Sequence, residues 1–191
     1  MNIKYPKGTI KNKEVKKVKT YGNRGMTLED DLNLTNNYYL ENNIAIIHKK
    51  PTPIQVTKTS LNKITLAYFK EPSTTDYNGL YKGKYIDFEA KETTSKTSFP
   101  LENIHKHQIN HIKKVYEHNG ICFIIVRFNN LNTTYLLFAK DFLEFINNNT
   151  RKSIPLAYFK DKGHKINFNL NPRLDYLKII DEFGGIYEKN S

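Results

Sequence analysis

The stretch from Ser73 to Lys91, STTDYNGLYKGKYIDFEAK, contains two short β-type segments on either side of a Lys82-Gly83 corner. In the second segment, Asp87, Glu89 and Lys91 alternate with apolar residues. Because successive side chains of a strand point to opposite faces of a sheet, the three charged residues are predicted to share one face. The apolar residues between them would face the core.

Folding this stretch about its corner predicts which side chains oppose each other. With a two-residue turn, Asp76 lies opposite Glu89 and Thr74 opposite Lys91. Opposed side chains lie about 5 Å apart at Cβ, where like charges destabilise a sheet. Two facing carboxylates beside a lysine therefore predict a divalent cation. Asp87, one pair nearer the corner, is assigned a supporting role, and a three-residue turn would break the predicted opposition.

Two carboxylates and a lysine on one face suit metal-assisted hydrolysis of a phosphodiester bond. The predicted catalytic residues are Asp76, Glu89 and Lys91, and Thr74 would add an oxygen ligand. Lys91 would stabilise charge on the phosphorane oxygens or orient the nucleophile. A non-catalytic interpretation stays open, in which Asp76 caps a turn before Asn78-Gly79 and Glu89 pairs with Lys91 along one strand.

The charge of the chain predicts a polyanionic partner, either nucleic acid or an anionic membrane surface. Its 191 residues carry a net charge of +11, and the aromatic content of 13% argues against wholesale disorder. No apolar run approaches the roughly 20 residues that span a bilayer. The single cysteine, Cys122, cannot form an internal disulfide, which is consistent with a reducing cytoplasm.

The sequence divides into one domain with two flanking segments. Residues 1–22 hold seven lysines and one acidic residue without apolar periodicity, which predicts a flexible basic arm or a solubilising tail. Residues 23–183 are predicted to form a single domain and residues 184–191 a short tail. Within the domain, residues 54–69 alternate apolar and polar residues about a polar corner, which predicts a projecting β-hairpin.

The order of the predicted elements is typical of an α/β fold with a mixed central sheet and helices on both faces. Gln108 lies on the apolar stripe of one helix, so its amide needs a partner or a cavity. Histidines 105, 107, 111 and 118 lack an acidic or thiolate partner nearby and are interpreted as surface or DNA-facing. The pentapeptide LAYFK occurs at 66–70 and 156–160 and is interpreted as a coincidence. Helices are predicted at about 24–41, 101–118, 140–148 and from 171, and further strands at 44–47, 121–128 and 134–138.

Several longer blocks resemble one known family. They are GMTLEDDLN, IAIIHKKPTPIQV, LAYFKEPSTTDYNG, GKYIDFEAKET and TSFPLENIHKHQINH. Together they closely resemble the RecU Holliday junction resolvases, and the spacing of Asp76 and Glu89-Ala90-Lys91 is similar to the PD-(D/E)XK nuclease motif. The resemblance continues weakly through YLLF to PRLDYLK, so it covers nearly the whole chain beyond the basic arm.

The resemblance implies an enzyme with a restriction-endonuclease-like core. Such an enzyme cuts paired strands of a four-way DNA junction symmetrically, as a homodimer using Mg²⁺ or Mn²⁺, in homologous recombination and DNA repair. By position, the family's metal-site residues fall on Thr74, Asp76, Glu89 and Gln108. Its transition-state lysine falls on Lys91. Glu29 matches an acidic residue of the first core helix and is a candidate additional site residue.

The resemblance also implies how DNA is bound. The hairpin at 54–69 corresponds to the family's protruding stalk, which enters the centre of the junction, and Arg24, Lys58 and Lys63 are the predicted DNA contacts. A recombinase and branch-migration proteins are candidate partners, in a cytoplasmic, nucleoid-associated location. Two features depart from the family: the stalk tip TKTSLNK is short and has no arginine, and Thr75 replaces the motif's proline.

Two other functions stay open on the sequence alone. A non-catalytic nucleic-acid-binding or strand-annealing recombination protein would use the basic arm and the 13 tyrosines, which can stack on bases. A general or restriction-like nuclease would use the same carboxylates. Comparing cleavage of a four-way junction with that of a linear duplex separates a resolvase from a general nuclease.

Overall fold

The computed structural model describes residues 26–61, 63–70 and 74–183. The predictions for Arg24 and for the flanking segments 1–22 and 184–191 lie outside these residues. The helices within them are α1 (Leu28–Glu41), α2 (Lys106–Glu117), α3 (Ala139–Asn148), α4 (Leu156–Asp161) and α5 (Tyr176–Phe183). The strands are β1 (Ile46–Lys49), β2 (Ile54–Ser60), β3 (Lys63–Phe69), β4 (Tyr77–Tyr81), β5 (Lys84–Thr93), β6 (Ser98–Pro100), β7 (Ile121–Phe128), β8 (Thr133–Phe138), β9 (Ser153–Pro155) and β10 (His164–Ile166).

Six strands form one mixed sheet in the order β1-β4-β5-β7-β8-β10. Strands β5 and β7 run parallel and are connected through α2, whereas the other neighbouring pairs of this sheet are antiparallel. Strand β7 is buried from Cys122 to Val126, as its nearly continuous apolar sequence predicts for a strand covered on both faces. The predicted α/β fold with a mixed sheet is confirmed.

Aromatic packing fixes the helices against the two faces of the sheet. On one face, Phe88 stacks on Tyr77 and Phe123 with ring centroids 4.8 Å apart in both pairs, and Tyr176 of α5 lies 5.2 Å from Phe88. Helix α1 packs on this face as well. Helices α2 and α3 pack on the opposite face. As a result, Phe88 faces α1 and α5, whereas its neighbours in β5 face α2.

The N-terminus of α1 is fixed by a capping box. The Thr27 hydroxyl accepts a hydrogen bond from the Asp30 N–H at 3.1 Å, and the Asp30 carboxylate accepts from the Thr27 N–H at 3.1 Å. Such a box satisfies two of the backbone donors that a helix leaves free at its start. The helix therefore begins at Leu28, later than the sequence pattern predicted, and Glu29 lies in its first turn.

Strands β2 and β3 form the predicted hairpin, which projects from the domain. Its described residues are all exposed except Ala67, which is half-buried. The hairpin is inserted between β1 and β4, which pair with each other. At its base, the backbone N–H of Lys50 donates to the Asp76 carbonyl at 2.8 Å. This hydrogen bond holds Asp76 next to the end of β1.

Three predicted elements differ from the structure. The strand predicted at 44–47 lies at Ile46–Lys49 and is an edge strand of the sheet, so Ile46 is 57% exposed. The helix predicted from residue 101 begins at Lys106, because Ser98–Pro100 pairs as β6 with β9 and a 3₁₀ turn follows. The last helix begins at Tyr176, because residues 168–174 close a loop through a β-bridge.

Four short elements, β6, β9, α4 and β10, were not predicted. The two copies of LAYFK differ in structure: the first lies in β3 and the second begins α4. Within the described ranges, no helix is long and apolar enough to cross a membrane.

Candidate active site

Three charged residues of β5, Asp87, Glu89 and Lys91, lie on the side of the sheet that faces α2. Asp87 and Glu89 are fully buried, and the Lys91 side chain is 26% exposed. The turn before β5 has positive φ values of 47° at Lys82 and 75° at Gly83, which a two-residue hairpin turn of the primed type requires. Burying two carboxylates costs free energy unless each has partners. The partners of Asp87 and Glu89 therefore define the site.

The predicted register of the β4–β5 hairpin is confirmed near the turn, where Asn78 pairs with Asp87, whereas the predicted pairs of Asp76 with Glu89 and of Thr74 with Lys91 lie beyond the ladder. The ladder runs from the Tyr81–Lys84 pair to the Tyr77–Phe88 pair, where it ends. Asp76, the next residue, turns its carboxylate back to β5, and its Oδ2 accepts a hydrogen bond from the Ala90 N–H at 3.2 Å. The Asp76 carboxylate therefore lies beside Glu89 and Lys91, although it does not continue the ladder.

One lysine and one amide hold the Glu89 side chain. Lys91 Nζ contacts Glu89 Oε1 and lies 3.6 Å from Asp76 Oδ2. Gln108 donates from Nε2 to Glu89 Oε1 at 2.7 Å, and its own Oε1 accepts from the His105 N–H at 2.9 Å. This accounts for an amide on the apolar stripe of α2, since both of its polar ends are satisfied. In this conformation Gln108 orients the carboxylate.

The second oxygen of Glu89 has no hydrogen-bond partner. Oε2 is one of four side-chain atoms that are buried without a partner among the described residues. Leaving such an acceptor unsatisfied costs about 1–3 kcal/mol, and more for a charged group. A cation coordinated by Oε2 would remove this cost.

The donor set suits a hard divalent cation with an incomplete protein shell. In the part of the chain that the structure describes, no group of three or more His, Cys, Asp or Glu could hold a metal ion. Mg²⁺ commonly takes one or two carboxylates and completes its shell with water and substrate phosphates, and Mn²⁺ favours the same oxygen ligands. Asp76 and Glu89 fit this chemistry.

Burial gives Glu89 an unusual pKa. Burial, followed by the charge on Asp76, raises the pKa of Glu89 to about 8, against the opposing effect of Lys91. Burial acts to lower the pKa of Lys91, but the charges on Glu89 and Asp76 outweigh it and raise that pKa. The site therefore combines a permanent ammonium group with a carboxyl group that is only partly ionised near neutral pH.

Two further predicted residues lie at the border of this cluster. Thr74 is exposed, and its hydroxyl accepts a hydrogen bond from Lys50 Nζ at 3.0 Å. Glu29 lines a cavity of about 320 Å³ together with Asp76 and Lys91, and its carboxylate pairs with a lysine of β1 at 2.5 Å. The structure thus brings Glu29 to the predicted site, whereas the contacts of Thr74 are with Lys50.

Asp87 is the centre of a buried polar cluster that the sequence did not predict. Its Oδ2 accepts from Lys50 Nζ at 2.6 Å and from the Tyr85 hydroxyl at 2.7 Å, and the Thr75 hydroxyl donates to Oδ1. His111 Nε2 lies 3.3 Å from Oδ2. These contacts fix the segment that leads from the hairpin to Asp76, because Thr75 precedes Asp76 directly.

Comparison with known proteins identifies the family. The sequence model of the family described as "RecU: Recombination protein U" matches residues 23–182. The chain belongs to the RecU family. The Holliday junction resolvase RecU of Geobacillus kaustophilus is 51% identical over 194 residues, which are 95% of this chain and 97% of the relative. Proteins of the same name from Oceanobacillus iheyensis and Bacillus cytotoxicus are 52% and 50% identical over 94% and 95% of this chain and 98% of each relative.

In this RecU family member, the buried cluster extends beyond the residues predicted from the sequence. Contrary to the sequence interpretation, His111 has an acidic partner nearby: its side chain is 26% exposed, and its Nε2 lies 3.3 Å from Asp87 Oδ2. Gln108 and His111 are three residues apart on α2, a spacing that places both on one helix face. The sequence could therefore have identified His111 as a neighbour of the predicted site. Lys50 had no comparable signal, because it reaches Asp87 only through the pairing of β1 with β4.

Proposed function

We propose that this RecU family member is a metal-dependent endonuclease that resolves Holliday junctions by symmetrical nicks in paired strands, in homologous recombination and DNA repair. The observation that carries this proposal is the cluster of Asp76, Glu89 and Lys91, in which a buried carboxylate oxygen lacks a partner beside a second carboxylate and a lysine. The names of the relatives support a four-way junction as the substrate.

Each residue of the cluster has a distinct role in this mechanism. Asp76 and Glu89 would hold Mg²⁺ or Mn²⁺. Thr74 and Gln108 would add oxygen ligands only after leaving their contacts with Lys50 and with the His105 N–H. A cation bound there supplies charge that polarises the scissile phosphate and lowers the pKa of a nearby water molecule. Lys91 stabilises the negative charge that develops on the phosphate oxygens. Gln108 donates to Oε1 of Glu89 and so keeps Oε2 available for the cation.

A cleavage assay on a mobile four-way junction tests this proposal. With Mg²⁺, we expect one nick in each of two opposed strands, at symmetrical positions, and no nicks when a chelator removes the metal. A linear duplex of the same sequence should be cut much more slowly. Equal cleavage of the duplex would indicate a general nuclease, and junction binding without metal-dependent nicks would indicate a non-catalytic binding protein.

The protein is proposed to act as a homodimer. Symmetrical nicks require two catalytic centres, which a two-fold dimer supplies. A lone two-stranded hairpin is marginally stable in water, and this one exposes apolar side chains such as Phe69, at 80%. A second copy or the bases at the junction would cover them. Sedimentation equilibrium is expected to give twice the chain mass of 22.4 kDa.

The lysines of the hairpin are proposed to contact phosphates at the centre of the junction. Replacing Lys58 and Lys63 by alanine is expected to reduce the slope of log Kd against log salt concentration by about 2, one unit for each lost phosphate contact. The unfolding temperature should not change, because both side chains are exposed. Lys140→Ala with Lys160→Ala removes the same charge from exposed sites on α3 and α4 and should leave the slope intact. An unchanged slope in the hairpin variant would exclude these contacts.

A further inference from the structure

A second cavity, of about 750 Å³, lies next to the candidate active site. It is located where β5 and β7 end and α1 begins, and it falls in the size range of typical ligand pockets. Thr27 and Glu92 line both this cavity and the smaller one that holds Asp76 and Lys91. Glu92 Oε1 accepts a hydrogen bond from the Leu28 N–H at 3.0 Å and so forms part of the border between the two cavities.

The buried carboxylate of Asp31 holds two arginine side chains in place along this cavity. Asp31, only 2% exposed, accepts from Arg127 Nη2 and from Arg173 Nε, each at 2.6 Å. One carboxylate thus pairs with two guanidinium groups, and Lys165 adds a third cation to the lining. Glu92 lies 4.0 Å from Arg127 and is the second carboxylate of the lining. The cations outnumber the carboxylates, so the cavity favours an anion.

The rest of the lining suits a nucleobase better than a simple anion. Phe168 is 48% exposed, and the Arg173 guanidinium carbon lies 4.7 Å from the centre of its ring. Aromatic side chains of this kind stack on bases. Asn129, Asn132 and Asn167 also line the cavity and are exposed. Their amides can donate to and accept from the edge of a base.

The position of the cavity points to the DNA strand that is being cut. A strand advances about 3.4 Å along the helix axis per nucleotide, so a strand at the active site reaches an adjoining cavity within a few nucleotides. The chain's own N-terminal segment is a poor occupant, because residues 1–22 carry seven lysines and one acidic residue. Like charges in the cavity and in that segment repel each other.

We propose that this cavity binds one nucleotide next to the scissile phosphate, with its phosphate at Arg127, Arg173 and Lys165 and its base at Phe168 and the asparagine amides. The proposal rests on the function proposed above. It makes the cavity a determinant of where on a junction the enzyme cuts, since a base held there is read by stacking and hydrogen bonds.

Junctions with single methylphosphonate substitutions test the phosphate contact. Each substitution neutralises one phosphate within five nucleotides of the cut, and one of them is expected to weaken binding by the unchanged protein about threefold, as the loss of one phosphate contact does. In Lys165→Ala, that same substitution should weaken binding by a smaller factor, because one of the three cations at this phosphate is already missing. In Lys160→Ala, which removes an exposed lysine of α4 outside the cavity, the threefold effect should persist.

The base contact is tested by mapping cleavage sites along a mobile junction. Phe168→Ala is expected to reduce the preference for the main cleavage site over secondary sites about fivefold, a change at the lower end of what stacking on one base contributes. Metal-dependent cleavage should become slower but remain measurable, because Phe168 lies in the cavity and outside the cluster of Asp76, Glu89 and Lys91. Thermal unfolding of each variant confirms that it is folded.

The outcomes distinguish failure of the proposed nucleotide binding from failure of the proposed nuclease function. If the unchanged protein does not cut junctions, the proposed function fails. If it cuts them, but Lys165→Ala keeps the full methylphosphonate effect and Phe168→Ala keeps the cleavage pattern, only the nucleotide cavity is overturned. A smaller methylphosphonate effect in Lys165→Ala together with a weaker site preference in Phe168→Ala supports the proposed nucleotide binding.

Discussion

Replacing Glu89 by glutamine is expected to lower the rate of junction cleavage at least about 1,000-fold while junction affinity stays within about threefold of the unchanged protein. Glutamine keeps the size of the side chain and an oxygen that can accept from Gln108, but it removes the charge that would hold the cation. Asp76→Asn should have the same effect on cleavage. Single-turnover cleavage with Mg²⁺ and a binding titration without metal measure the two quantities.

The same substitution is expected to stabilise the fold near neutral pH. Folding raises the pKa of Glu89 from 4.5 to about 8, so its protonated form is favoured in the native state. The stability that depends on this proton is complete below pH 4.5 and falls as the pH rises towards 8. Glutamine removes this loss, which is about 3 kcal/mol at pH 7. Thermal unfolding of both proteins at pH 5 and pH 8 measures it.

A matched control distinguishes an effect that is specific to position 89 from a general effect of replacing a glutamate by glutamine. Glu102→Gln makes the same change at an exposed position in the turn before α2, and it should alter neither cleavage nor stability. Undiminished cleavage by Glu89→Gln would remove Glu89 from the metal site. Equal pH dependence of unfolding in the two variants would show that Glu89 does not cause the loss of stability as the pH rises.

Asp87→Ala is expected to destabilise the protein by about 3–5 kcal/mol, the range found when one partner of a buried ion pair is removed. The Lys50 side chain is only 14% exposed, and it would lose its carboxylate at 2.6 Å. The Tyr85 and Thr75 hydroxyls would lose the same acceptor. Urea unfolding measures the change. Cleavage should fall as well, because Thr75 precedes Asp76.

A double substitution distinguishes an unpaired buried charge from lost packing. Lys50→Met combined with Asp87→Leu leaves neither charge in the cluster, so it should recover more than half of the stability that Asp87→Ala loses. A double variant that is less stable than Asp87→Ala would mean that the hydrogen bonds of Tyr85 and Thr75, rather than the charge of Lys50, determine the cost.

The β4–β5 hairpin could be predicted from the sequence because the information that specifies it is local. A Lys82-Gly83 corner fixes the turn, and period-two alternation fixes the face of each charged residue. Gln108 could be predicted because an amide on an apolar stripe needs a partner. The partners of Asp87 were missed because Lys50 and His111 reach it through long-range packing, which residue spacing within a strand does not encode.

The two copies of LAYFK show that a short sequence does not by itself determine its secondary structure. At 66–70 most of this pentapeptide belongs to an exposed strand that pairs with β2, whereas at 156–160 it begins a helix that follows Pro155. In the helix, Phe159 is fully buried and packs on the rings of Phe99 and Phe128. The five residues have the same intrinsic preferences in both places, so the surroundings decide the structure.

Because the projecting hairpin is inserted between two strands that already pair, the sheet that carries Asp76, Glu89 and Lys91 does not need the hairpin for its strand order. Lys50 and Asp76 are joined by a backbone hydrogen bond. A short turn in place of residues 54–69 would therefore complete an ordinary β1–β4 connection and leave both carboxylates and Lys91 where they are. The hairpin can thus differ in length or composition while the sheet that carries Asp76, Glu89 and Lys91 stays the same.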